Sequence, residues 1–181
     1  MFDGPYLRHP LEIEWEEEAR TLYRARYDEL RGVFEPRLQR GFDITRTPTV
    51  PNMREYLLRI VIDNLRLVPS HREMMAVLGG RELPCYWSLD QARLWEHAGE
   101  VVLVYSALYR DGLYTLAGRQ SFVGAAARLR DYLGSFSDDP RLLLNEELSD
   151  RFDRFVSVLK SSRLTMTELE MLADDSDIGF L

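Results

Sequence analysis

EVVLVYSALY at residues 100–109, RDG at 110–112 and LYTLAG at 113–118 form the stretch on which the architecture turns. Val101, Val102, Val104, Tyr105 and Tyr109 favour extended backbone. Arg110-Asp111-Gly112 supplies a turn, and Leu113, Tyr114 and Leu116 lead back. The stretch therefore predicts a β-hairpin. The apolar run Val101–Tyr105 is too continuous for a strand with one wet face, so helices are expected to cover both faces of the hairpin. Two strands alone are marginal in water, which recruits Leu83–Trp87 and part of 41–50 as further strands. The fold class this predicts is α+β, mainly helical with about seven helices, with a small antiparallel sheet centred on the hairpin at 100–118.

Upstream of that stretch, Ser88-Leu89-Asp90-Gln91 reads as a capping box that opens a helix ending near Gly99. Ser70-His71-Arg72-Glu73 is the same device for a shorter helix closed by Gly79-Gly80. MREYLLRIVIDNLRL at 53–67 is apolar around most of its circumference, the pattern of a buried helix. GFDITRTPTVP at 41–51 reads as an edge strand or a braced loop, because Pro48 and Pro51 exclude a central strand. The first helix is expected over 11–33, stopping before Pro36. Glutamates 14, 16, 17 and 18 sit in its early turns, where the helix dipole favours negative charge.

Downstream, a helix is expected at Ser121–Leu133. Asp139-Pro140 then opens a long helix with Leu144, Leu148, Phe152, Phe155 and Leu159 on one stripe. Thr165-Met166-Thr167-Glu168 caps a last helix. Residues 1–173 are expected to make one domain, with helix 11–33 as a candidate arm, and 174–181 an acidic tail.

The chain has 181 residues, 45% apolar and 29% charged, with a net charge of −7. That length supports one core, and the composition is far from a disordered one. One cysteine, Cys85, excludes an internal disulfide framework. The first twenty residues lack a basic start followed by an apolar run, and no apolar stretch approaches the roughly 18 residues of a membrane span. A cytoplasmic protein without membrane contact is expected. Acidic ends disfavour a phosphate backbone as partner. The arginines between Arg24 and Arg46 interleave with Tyr27, Phe34 and Phe42 as single-strand binders do, but Asp28, Glu29, Glu35 and Asp43 dilute them, so nucleic acid is not the expected partner.

His9, His71 and His97 are too far apart for a local metal motif, and no phosphate-binding glycine loop occurs. No metal and no cofactor are expected. A thiol-based hydrolase needs a nucleophile and a base: Cys85 and His97 are the candidates, one helix apart. A core thiol and a histidine interacting with a helix C-terminus account for the same residues.

Tyr86-Trp87-Ser88-Leu89-Asp90-Gln91-Ala92-Arg93-Leu94-Trp95, followed by the expected strand from Val101, resembles a segment of ADP-ribosyltransferase-like toxins. The resemblance implies an NAD site, with Ser88 at a strand end, Arg40 upstream, and Glu146 or Glu147 downstream. A capped helix between two strands produces the same pattern without chemistry.

With no assembled active site in the pattern, the reading adopted is a non-catalytic protein acting through protein–protein interaction, as an adaptor, inhibitor or complex subunit. An enzyme is the alternative. The partner is another protein or a second copy. Trp15, Tyr23, Tyr27 and Phe34 on the first helix are interface candidates, since aromatic residues are enriched at interface hot spots. Phe180 and Leu181 join them as a terminal apolar segment.

Overall fold

The computed structural model describes residues 10–64, 70–83, 88–108, 112–134 and 137–162. The side chains of residues 10–23, Arg26 and Ser88 lie outside that description. Seven helices appear among the described residues, and no strand: α1 (Pro10–Thr45), α2 (Met53–Asp63), α3 (His71–Gly80), α4 (Ser88–Leu108), α5 (Thr115–Leu133), α6 (Pro140–Asp150) and α7 (Phe152–Ser161). The expected α+β architecture is thereby corrected to an all-helical one.

The correction centres on 100–118. Residues 88–108 form one unbroken helix, and Leu113-Tyr114 is the turn that opens the next. Val101, Val102, Leu103 and Val104 are all at most 2% exposed. The unbroken apolar run comes from burial around the whole circumference of α4, which packs against α2, α3, α5 and α7. Such a run on a helix and on a strand covered on both faces has the same sequence appearance. Gly99 does not end a helix. A Cβ there would lie 2.9 Å from the Phe122 ring of α5, so the glycine lets the two helices approach.

The remaining expected strands resolve similarly. Gly41–Thr45 is the last turn of α1, and Leu83 is an exposed bend residue; Pro84–Trp87 lie outside the described residues. Segment 46–52 is a loop, entered at Arg46 and left at Asn52 with positive φ (49° and 69°). It is braced by Arg151, which donates to the Pro48 carbonyl (3.1 Å), and by Glu147, which accepts from the Val50 N–H (2.9 Å).

Helix α1 runs through Pro36 rather than stopping before it. Proline in a helix interior costs about 3 kcal/mol, through a lost hydrogen bond and a clash with the carbonyl four residues back. Leu30, Phe34, Leu38 and Phe42, spaced by four, are buried on either side of it. Their burial, at roughly 1.5–3 kcal/mol each, outweighs the break.

The N-terminal grammar of α3 and α6 holds, while Gly79 and Gly80 are the last two residues of α3 itself and the C-cap is Arg81. Ser70 and Glu73 form a reciprocal capping box. Asp139 accepts from the Arg141 N–H at 2.8 Å with Pro140 in the first turn. The expected single helix from Asp139 is divided at Arg151 into α6 and α7. Its stripe survives the break, because Leu144, Leu148, Phe152, Phe155 and Leu159 are all buried in one cluster with Val101–Val104. The capped helix expected at 165 and the tail at 174–181 lie outside the described residues. No described helix is long and apolar enough to cross a membrane.

Candidate functional site

Two regions depart from the ordinary rule of apolar inside and charged outside. The first is a charged centre built by α2, α4 and α6. On α4, Glu96 and Glu100 are one turn apart and share a face. Glu96 is 7% exposed. Its carboxylate receives Arg141 of α6 through Nε (2.9 Å to Oε2) and through Nη2, and Asn145 Nδ2 at 3.1 Å. Arg141 and Asn145 are also one turn apart, so one face of α6 presents both donors.

From α2, Tyr56 and Arg59 reach Glu100. The Tyr56 hydroxyl donates to Glu100 Oε1 at 2.7 Å and lies 3.4 Å from Glu96 Oε1, and Arg59 Nη2 donates to Glu100 Oε1 at 2.9 Å. Burial raises the Glu100 carboxyl to about 7, with the Glu96 charge adding to it, while the Tyr56 hydrogen bond and Arg59 pull the other way. Tyr56 is pushed well above its ordinary value by burial and then by Glu100 and Glu96. Glu100 is therefore a carboxyl that exchanges its proton around neutral pH. Asn145 Oδ1 is buried with no hydrogen-bond partner among the described residues.

The second region is the outer side of α5. Leu113, Leu116 and Val123 are 69%, 67% and 53% exposed. Gln120 and Ala127 are exposed between and beyond them. At 3.6 residues per turn, Leu116, Gln120, Val123 and Ala127 lie within about 60° of their mean direction, in a row about 17 Å long that ends where the exposed Asp131 follows one turn beyond Ala127; Leu113 stands in the turn before the helix. The inner side of α5 is fully occupied: Gly118, Ser121, Phe122, Ala125 and Leu129 are buried. One edge of the row is built by Trp95 of α4, with the Arg81 and Arg128 guanidiniums 4.6 and 4.3 Å from its ring centroid. A Cβ on Gly124 would fall 2.1 Å from the Trp95 ring, so glycine is required for that stack.

The residues expected to carry chemistry are placed as follows. Arg40 is exposed near the end of α1. Ser88 begins α4, with its backbone in the helix. Glu147 is committed to the Val50 N–H and to Arg151 (3.1 Å), and Glu146 pairs with Arg130. The strand–helix–strand pattern of the toxin resemblance is not present among the described residues, since 88–108 is one helix. His97 is exposed in the middle of α4 instead of at a helix end. Cys85 lies outside the described residues, as do Phe180 and Leu181.

Of the aromatic interface candidates, Phe34 is taken up by the core at 2% exposure. Tyr27 is half-buried against the core and donates to Glu55 at 3.2 Å. Trp15 and Tyr23 have backbone in α1 and side chains outside the described residues. No three metal-ligating side chains converge among the described residues.

Tyr56, Glu96, Glu100, Arg141 and Asn145 were not singled out from sequence, nor was the α5 row. The signal for the first was the four-residue spacing Glu96–Glu100, which a helix-to-strand boundary at Gly99 conceals. The chain matches no protein-family model, no curated protein and no solved structure.

Proposed function

We propose that the chain is a non-catalytic cytoplasmic protein that works as a subunit of a protein complex, with the outer row of α5 as its contact surface. One observation carries this reading. Leu116 and Val123 stand more than half exposed on a helix whose other side is locked into the core, and Leu113 is exposed in the turn that leads into it. Leaving three large apolar side chains wet forfeits on the order of 1.5–3 kcal/mol each relative to burial, and clustered exposure of this kind marks contact sites. The charged centre supports the row from behind, tying α4, on which α5 rests, to α2 and α6.

The test is site-specific photocrosslinking in the native host. A photoreactive phenylalanine at position 116 or 123 is expected to give a discrete adduct, and the same group at Asp153, exposed on α7, is not. Equal, diffuse labelling from all three positions, or none from 116 and 123, overturns the reading.

A further inference from the structure

Helices α1 and α7 run antiparallel, and their contacts set a register. A Cβ on Gly41 would fall 2.3 Å from the Val158 carbonyl oxygen, so the two backbones touch there. Further along the chain from Gly41, the Pro48 carbonyl accepts from Arg151, which lies as far before Val158 as Pro48 lies after Gly41. The Val50 N–H, beyond Pro48, donates to Glu147. Counted the other way from Gly41, α7 closes at its C-cap Ser162 alongside Arg37.

Helix α1 does not stop there. Residues 10–36 carry on past that point, about 40 Å of helix. Helix α2 engages α1 as far along as Tyr27, which donates to Glu55. Leu30 is the first buried side chain of α1 among the described residues, and Arg24 and Ala25 are exposed. Residues 10–26 thus form an arm, and a helix of that length is marginal in water without something to pack on.

The chain continues from the end of α7 in the direction of that arm. Carried on at the rise of α7, residues 163–181 run back along α1. In this register Leu172 falls beside Tyr27, Asp175 beside Arg24 and Phe180 beside Ala19. Charge agrees with position: Asp174, Asp175 and Asp177 come opposite the stretch that holds Arg20, Arg24 and Arg26. The glutamates of the arm, all within 12–18, face none of these aspartates. Met166, Leu169 and Leu172 recur every third residue, and a helix capped at Thr165 sets such positions side by side.

We propose that residues 163–181 are a strap that packs antiparallel along α1 and covers the arm, fastened by Asp174, Asp175 and Asp177 on Arg20, Arg24 and Arg26. The strap is independent of the α5 contact surface: the arm is answered by the chain itself. Exposed ion pairs are individually weak and screened by salt, so the fastening is reversible and sensitive to ionic strength.

Hydrogen exchange on the whole chain tests this. Amides of 10–26 are expected to be protected at low salt and to lose that protection as salt rises, while those of α4 keep theirs. Asp174→Arg/Asp175→Arg/Asp177→Arg should speed exchange in 10–26 several-fold and leave α4 and α5 unchanged. Adding Arg20→Asp/Arg24→Asp/Arg26→Asp should restore most of the protection. Adding Arg72→Asp/Arg93→Asp/Arg154→Asp instead, at exposed arginines elsewhere, restores the net charge and should restore no protection. In a chain with Cys85→Ser, cysteines replacing Arg24 and Asp175 should join within one chain on mild oxidation. Cysteines replacing Arg40 and Asp175 should not, because Arg24 and Arg40 lie about 24 Å apart along α1.

Exchange in 10–26 that ignores the aspartates overturns the strap, as does a loss that the swap at 20, 24 and 26 fails to restore. A 24–175 link that forms only between chains also overturns it, and assigns the segment to a second copy. Should Cys85→Ser prevent folding, exchange decides alone; should a triple variant do so, the cysteine pair and the salt dependence of the parent decide.

Discussion

The charged centre and the α5 row invert the same rule in opposite directions. At the centre, Glu96, Glu100 and Tyr56 are taken out of water; on α5, Leu116 and Val123 are left in it. The difference lies in whether the chain answers the group itself. Glu96 receives Arg141 and Asn145, and Glu100 receives Tyr56 and Arg59, so these groups have their partners within the chain. On α5, Leu116 and Val123 keep more than half of their surface exposed. A buried polar group that is satisfied internally contributes to specifying one packing; an exposed apolar row left unanswered points outward. The two regions should consequently respond to substitution in different currencies, one in folding and the other in association.

The largest expected effect is at Arg141. Replacing it with Met leaves the Glu96 carboxylate buried without its main counter-charge. Removing one partner of such a pair typically costs 3–5 kcal/mol; because Arg141 is itself 30% exposed, about 3 kcal/mol is expected in urea unfolding. Adding Glu96→Met should recover most of the loss, since replacing both members by apolar groups is often neutral. A double variant as unstable as Arg141→Met alone would show that the centre's value is not electrostatic.

Next in size is the pH response of Glu100. Its folded value of about 7 lies above that of a carboxyl in the unfolded chain. Between those two values the native state keeps a proton that the unfolded state has released. Stability must then fall as pH rises from about 4.5 to about 7 and level off above. Roughly 3 kcal/mol is expected to disappear over that window. Glu100→Gln should remove that part of the slope, and thermal melts of the two proteins across the window measure the difference. Parallel slopes would contradict the assignment.

A smaller effect is expected where the regions meet. Gly124→Ala forces a methyl group into the Trp95 ring, and overpacking of this kind costs about 1–3 kcal/mol.

How much of this was legible in the sequence follows from which signals are local. The caps of α3 and α6 are decided by a few adjacent residues, and Ser70, Glu73 and Asp139 perform there as their side-chain chemistry requires. The stripe from Leu144 to Leu159 was visible because it faces one way. Residues 101–104 were not assignable, because a run buried on every side loses the periodicity that separates helix from strand. That one ambiguity concealed both regions. A strand from Glu100 separates it from Glu96, and a strand over 113–118 points Leu113 and Leu116 to alternating faces with respect to Val123. Pro36 misled for a different reason: a local penalty was overridden by the burial of Leu30, Phe34, Leu38 and Phe42.

The smallest expected effect is the most telling for the comparison. Leu116→Glu and Val123→Glu place charge where a core residue would tolerate none, yet neither side chain has half its surface in contact with the fold. Surface substitutions away from buried features change stability by about 0.5 kcal/mol or less, and glutamate is as good a helix former as most residues it replaces. Urea unfolding of the double variant, at a concentration where the chain is monomeric, should match the parent within that margin. A loss of several kcal/mol in the dilute monomer would mean that the α5 row is answered within the chain after all, and would place it in the same class as the charged centre.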